Sequence, residues 1–112
     1  MKAIVLAAAL AVAQTAYTPG NGVTSPQLVR EVKPQYTQEA KDAHIEGTVL
    51  VETIVQKDGD VGEVKIARSL DPTYGLDKEA LKAAKQWKFK PGTKNGEPVA
   101  VRVTLEMSFT LK

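Results

Sequence analysis

Seven apolar residues at period two constrain this chain more than any other feature. Val99, Val101, Val103, Leu105, Met107, Phe109 and Leu111 alternate without an error with Ala100, Arg102, Thr104, Glu106, Ser108 and Thr110. Successive side chains of a strand point to opposite faces, so the run predicts a long strand over Val99–Leu111, buried on one face and wet on the other. On a helix the same spacing would scatter the apolar residues around the whole circumference. A strand of this kind needs a sheet beside it and a layer over its apolar face.

The layer is legible just upstream. Leu76, Ala80, Leu81, Ala84 and Trp87 fall on one face of a helix, with Asp77 and Glu79 in its first turn and Lys82, Lys85 and Lys88 toward its end. That charge order suits the helix dipole. Pro91-Gly92 stops the helical pattern, and Asn95-Gly96 with Pro98 makes a second break before the strand. The spacing assigns Trp87, Phe89, Leu81 and Ala84 to the core.

The rest of the chain supplies a sheet and a second helix. Gln27–Val32, bracketed by Pro26 and Pro34, suits a short strand or an extended arm. Thr37 is a suitable N-cap for a short helix to about Ala43, ended by Gly47. From Thr48 to Gln56, valines 49, 51 and 55 share a face with Thr53, and Leu50 and Ile54 share the other. Lys57-Asp58-Gly59-Asp60 is a hairpin turn, and Val61–Arg68 returns with Val64 and Ile66 in alternation. Asp71–Gly75 reads as a loop into the second helix. The order predicts a two-layer α+β domain, with two helices on one face of a three- to four-stranded antiparallel sheet.

The N-terminus reads differently. Met1-Lys2, an unbroken apolar run from Ile4 to Ala13, and small residues at Ala11 and Ala13 have the layout of a secretory signal peptide cleaved before Gln14. The apolar run is too short for a spanning helix, which wants about 20 such residues. The expected division is therefore a signal peptide over 1–13, a flexible lead-in over 14–26 and a folded domain over 27–112. Loss of Lys2 takes the 15 basic residues to 14, against 13 acidic ones. A balance so even argues against nucleic acid as a partner. No cysteine is present, which removes disulfides, thiol catalysis and thiolate metal sites together.

No catalytic constellation stands out. His44 is the single histidine and reads as a partly exposed helix-end residue. No serine sits in a nucleophile elbow, and no glycine-rich loop joins a strand to a helix. The lysines at 78, 82, 85, 88 and 90 read as a solvated face diluted by Asp77 and Glu79. The expectation is a protein that is not an enzyme, with no cofactor and no metal. What the pattern does offer is the last strand itself. At a sheet edge it would expose unpaired N–H and C=O groups able to accept an extended peptide as a further strand.

Several short segments, taken in order, resemble the C-terminal domain of TonB, the periplasmic protein that drives TonB-dependent outer-membrane receptors. Pro34-Gln35-Tyr36 resembles that family's Pro-x-Tyr-Pro opening, with Thr37 in place of the second proline. Ile45-Glu46-Gly47-Thr48-Val49 resembles its Gly-x-Val strand entry, and Asp58-Gly59 its hairpin. Leu76-Asp77 with Ala80 and Ala84 resembles its second helix, Trp87–Gly92 its Trp-x-Phe/Tyr-x-Pro segment, and Asn95-Gly96 with Pro98-Val99 its last turn.

The resemblance implies binding of a receptor's N-terminal TonB box by β-strand addition, in energy-coupled outer-membrane transport. The binding edge would comprise Val99, Val101, Arg102, Val103, Thr104, Leu105, Glu106 and Met107. Lys33, Pro34, Gln35 and Tyr36 would lie near the receptor. A periplasmic location follows if the signal is cleaved. If it is retained, the chain would be an inner-membrane-anchored transducer that meets ExbB and ExbD. A third expectation is a homodimer in which the last strand pairs with its own copy.

Overall fold

The computed structural model describes residues 16–111; the expected signal peptide over 1–13 lies outside them. In chain order the elements are β1 (Gln27–Arg30), α1 (Gln38–Asp42), β2 (Gly47–Val55), β3 (Val61–Arg68), α2 (Leu76–Ala84), β4 (Lys88–Lys90), β5 (Gly92–Lys94), β6 (Glu97–Val99) and β7 (Val101–Phe109). Among the described residues no helix is long and apolar enough to cross a membrane.

The central sheet is antiparallel in the order β3-β2-β7. Its register places Val49 opposite Met107 and Val51 opposite Leu105, so the apolar sets of β2 and β7 share one face. Both helices pack there: Ala40 of α1 and Leu76, Ala80, Ala83 and Ala84 of α2 join Val49, Val51, Leu105, Met107 and Phe109 in one buried cluster. The alanines let α2 approach the sheet closely. Thr53 also faces the core, where its hydroxyl donates to the Glu63 carbonyl at 2.6 Å and so is not left unpaired. The opposite face carries Glu52, Arg102, Thr104, Glu106 and Ser108 and is solvated.

Besides α2, which ends at Ala84 and so leaves Trp87 beyond the helix and Lys88 in β4, sequence and structure part at three places. The single strand expected over Val99–Leu111 is two: β6 pairs with β5, placing Val99 opposite Gly92, and β7 pairs with β2 only from Val101. Ala100, expected on the wet side, is buried at the changeover. The alternation never falters because it records which way each side chain points, not which strand is alongside. Asn95-Gly96 is the two-residue turn of the β5–β6 hairpin, with φ of 53° and 82°.

The second difference concerns what ends α1: the helix stops at Asp42 with Ala43 as its C-cap, as expected to about Ala43, but not through Gly47. The chain reverses at the exposed His44, whose φ is 57°. The third is the expected lead-in. From Tyr17 onward it is hydrogen-bonded to the folded body, with Thr24 N–H donating to the Thr93 carbonyl at 2.8 Å and Tyr17 N–H to the Ala100 carbonyl at 2.9 Å.

Candidate peptide-binding edge

β7 is an edge strand: β2 covers one side, and among the described residues the other side meets only Tyr17, which bridges Val101. That contact fixes which backbone groups face outward. Arg102 N–H donates to the Tyr17 carbonyl at 2.8 Å, so the backbone groups of Arg102 face away from β2. Backbone groups alternate sides along an antiparallel strand, and Thr104, Glu106 and Ser108 therefore present N–H and C=O to the open edge as well. The odd-numbered residues turn theirs toward β2. Leu111 N–H, past the end of the strand, donates to the Glu46 carboxylate at 3.0 Å.

A groove of about 370 Å³ runs along this edge. Its walls are Glu31, Lys33, Pro34 and Tyr36 on one side and Glu106 to Thr110 on the other, with Trp87 between. The Pro34–Tyr36 segment is held in place from two directions. The Trp87 indole N–H donates to the Val32 carbonyl at 2.8 Å, and the Tyr36 hydroxyl donates to the Ile45 carbonyl. The Tyr36 ring meets Phe109 edge to face, with centroids 5.4 Å apart and planes at 77°. Desolvation, with the Glu46 carboxylate nearby, raises the Tyr36 phenol above its ordinary value, so it stays a donor at neutral pH. β1 does not cover the edge; it pairs antiparallel with β4, Leu28 opposite Phe89.

The expected site residues are thus sorted. Val101, Leu105 and Met107 are buried and Val103 half-buried, so they anchor the strand to the core. Arg102, Thr104 and Glu106 carry the outward backbone groups, although Arg102 N–H is already engaged by Tyr17. Val99 belongs to the β5–β6 hairpin and not to this edge. Of the upstream motif, Lys33, Pro34 and Tyr36 line the groove, while Gln35 is outside its lining. Among the expected core residues Trp87 and Ala84 are buried, and Leu81 and Phe89 pack against them only partly buried. Glu31, Ser108, Phe109 and Thr110 line the groove as well; the last three lie within the expected strand Val99–Leu111 but were not singled out as site residues. The unbroken alternation to Leu111 was the signal that could have added the last three.

At the other end of α2 from Trp87, a carboxylate pair organises the entry to the helix. Gly75 caps this helix without a side chain. Asp71, 2% exposed, accepts instead from the N–H groups of Thr73, Tyr74 and Leu76 at 2.9–3.2 Å. Asp77 accepts from Leu70 N–H at 3.0 Å, Asp71 N–H at 2.9 Å and the Ser69 hydroxyl. Partial burial pushes the Asp77 carboxyl up, but the three hydrogen bonds outweigh it and hold the group below its ordinary value. Among the described residues no three His, Cys, Asp or Glu side chains converge as a metal would require.

The sequence model described as Gram-negative bacterial TonB protein C-terminal matches residues 32–111. The chain belongs to the TonB C-terminal family. It is similar to Protein TonB of Vibrio cholerae, 38% identical over 91 residues, which cover 80% of this chain and 37% of that one. Protein TonB of Escherichia coli K12 is 31% identical over 87 residues, 78% of this chain and 36% of that one. The matched region is thus little more than a third of either relative. The solution NMR structure of the Pseudomonas aeruginosa TonB C-terminal domain superposes with a TM-score of 0.62 at 26% identity, covering 83% of this chain and 90% of that one. The α+β fold is that of the TonB C-terminal domain.

Proposed function

We propose that this domain takes up an extended segment of an outer-membrane receptor, its TonB box, as an added strand along the outer edge of β7, in energy-coupled transport across the outer membrane. One observation carries the reading. The backbone groups of Thr104, Glu106 and Ser108 face an open edge, beside a groove whose far wall is the Pro34–Tyr36 segment. Main-chain hydrogen bonds along such an edge supply affinity, and the neighbouring groove discriminates among side chains. Family membership supports the same role. The domain would work in the periplasm, delivered by the signal at residues 1–13, and coupling to ExbB and ExbD would require a membrane anchor.

The test is peptide affinity, read from the fluorescence of Trp87, the one tryptophan of the chain and part of the groove. Glu106→Pro removes an outward N–H while leaving the β2–β7 ladder its donors, a placement proline tolerates on edge strands. A TonB-box peptide should bind Glu106→Pro at least ten-fold more weakly than the parent chain. Equal affinity, with the fold intact, would move the binding site off β7. Peptide-independent, concentration-dependent growth in mass would instead indicate that the edge pairs with a second copy.

A further inference from the structure

The chain's own lead-in fills the first rung of the β7 edge and is then turned away from it. Tyr17 pairs in parallel at Val101, donating to the Ala100 carbonyl at 2.9 Å and accepting from Arg102 N–H at 2.8 Å. The Lys94 ammonium lies 4.7 Å from the centre of the Tyr17 ring and pins the side chain. In a parallel ladder the next rung falls two residues on, at Pro19. Proline has no N–H to give the Arg102 carbonyl, so the ladder cannot lengthen there.

Beyond Pro19 the chain leaves the edge. Gly20 and Val23 exchange backbone hydrogen bonds at 2.9 and 3.0 Å, around Asn21 and Gly22 with φ of 53° and 89°. Positive φ at both central residues makes this the mirror-type turn of tight hairpins. Val23, 9% exposed, then bridges Lys94, and the Thr24 hydroxyl accepts from Thr93 N–H at 2.9 Å. The lead-in is therefore fastened to the β5–β6 hairpin.

We infer that Tyr17–Gly20 is a built-in stop that sets the register of strand addition on β7. It occupies the Ala100–Arg102 rung, leaves Thr104, Glu106 and Ser108 as the rungs an incoming segment can take, and by ending at Pro19 keeps the chain from covering those rungs itself. The partner is an extended stretch of about five residues, matched to the open span of the strand. Its end abuts Tyr17 and Pro19, so bulk at that end is rejected. The inference rests on the proposed use of this edge for peptide binding.

Backbone amide exchange on the full chain, free and with a synthetic TonB-box peptide, tests it. In the free protein Arg102 should exchange at least ten-fold more slowly than Thr104, Glu106 and Ser108. Peptide should slow those three and leave Arg102 unchanged. In Tyr17→Pro, which loses the N–H to Ala100, Arg102 should exchange faster when free and join the peptide-protected set. Equal exchange of Arg102 and Thr104 in the free parent chain would overturn the stop without any variant being made. Protection spreading over Arg102 with Tyr17 released would overturn it too. Slow Arg102 exchange with no peptide effect anywhere on β7 would instead remove the binding reading, and the assigned register with it.

Discussion

The indole nitrogen of Trp87 donates to the backbone carbonyl of Val32 at 2.8 Å, across 55 residues of sequence. This bond joins the exit of α2 to the segment that forms the far wall of the groove. Stability of the core and shape of the binding edge therefore share one side chain. Trp87→Ala should cost about 3–5 kcal/mol in urea unfolding, through lost packing and the cavity left behind. Trp87→Phe keeps much of the apolar surface but leaves the Val32 carbonyl without this donor, and should cost about 1–3 kcal/mol. A loss below that range for the alanine variant would mean the indole is not packed as described.

Tyr36 and Phe109 set the other end of the groove. Tyr36→Phe retains the edge-to-face contact and removes only the hydroxyl that donates to Ile45, so unfolding should report a loss of about 1 kcal/mol. Tyr36→Ala removes the ring as well and should weaken peptide binding, which the phenylalanine variant should leave nearly unchanged.

Asp77 gives a pH dependence with a definite sign. Its folded value lies below the ordinary 3.8, so folding favours the ionised form. The stabilisation is complete above that ordinary value and fades as pH falls through the lowered folded one. Chemical unfolding of the parent chain should therefore weaken from about pH 4 downward. Asp77→Asn should be less stable at neutral pH, and the gap should narrow in acid. A gap independent of pH would exclude the carboxylate as its source.

Gly59 cannot accept a side chain. Its φ is 90°, and a Cβ there would come within 2.0 Å of the Phe89 carbonyl oxygen, on the same β4 residue whose N–H donates to the Gly59 carbonyl at 2.9 Å. Gly59→Ala should destabilise by about 1–3 kcal/mol, measured by urea unfolding. The backbone contact cannot yield as a flexible side chain could.

Much of this fold could be read from local pattern, because its cause is local. The alternation of β2, the Asp58-Gly59 and Asn95-Gly96 turns, the Thr37 cap and the inward face of α2 each follow from residues a few positions apart. The Thr37 hydroxyl accepts from Ala40 N–H at 3.2 Å, as its position before the helix predicts. The features that escaped depend on loop conformation or on distant partners. Asp71 and Asp77 read as an ordinary loop residue and a first-turn acid, yet their hydrogen bonds to neighbouring backbone bind the loop to the helix. Val99 looks continuous with β7, and only its pairing with Gly92 separates them. Tyr17 lies in a turn-rich stretch whose destination no spacing reveals. The groove has the same origin, since Glu31 and Thr110 come to line it only through the tertiary fold.

Addition of an extended peptide to the outer edge of β7 can be watched residue by residue, in an NMR titration of the isotopically labelled chain with a TonB-box peptide. The largest amide shifts should fall at Thr104, Glu106 and Ser108, with cross-strand contacts from the peptide to these residues and smaller shifts at Tyr36 and Trp87. Shifts confined to the opposite edge at β3, or none with millimolar peptide, would contradict strand addition at β7.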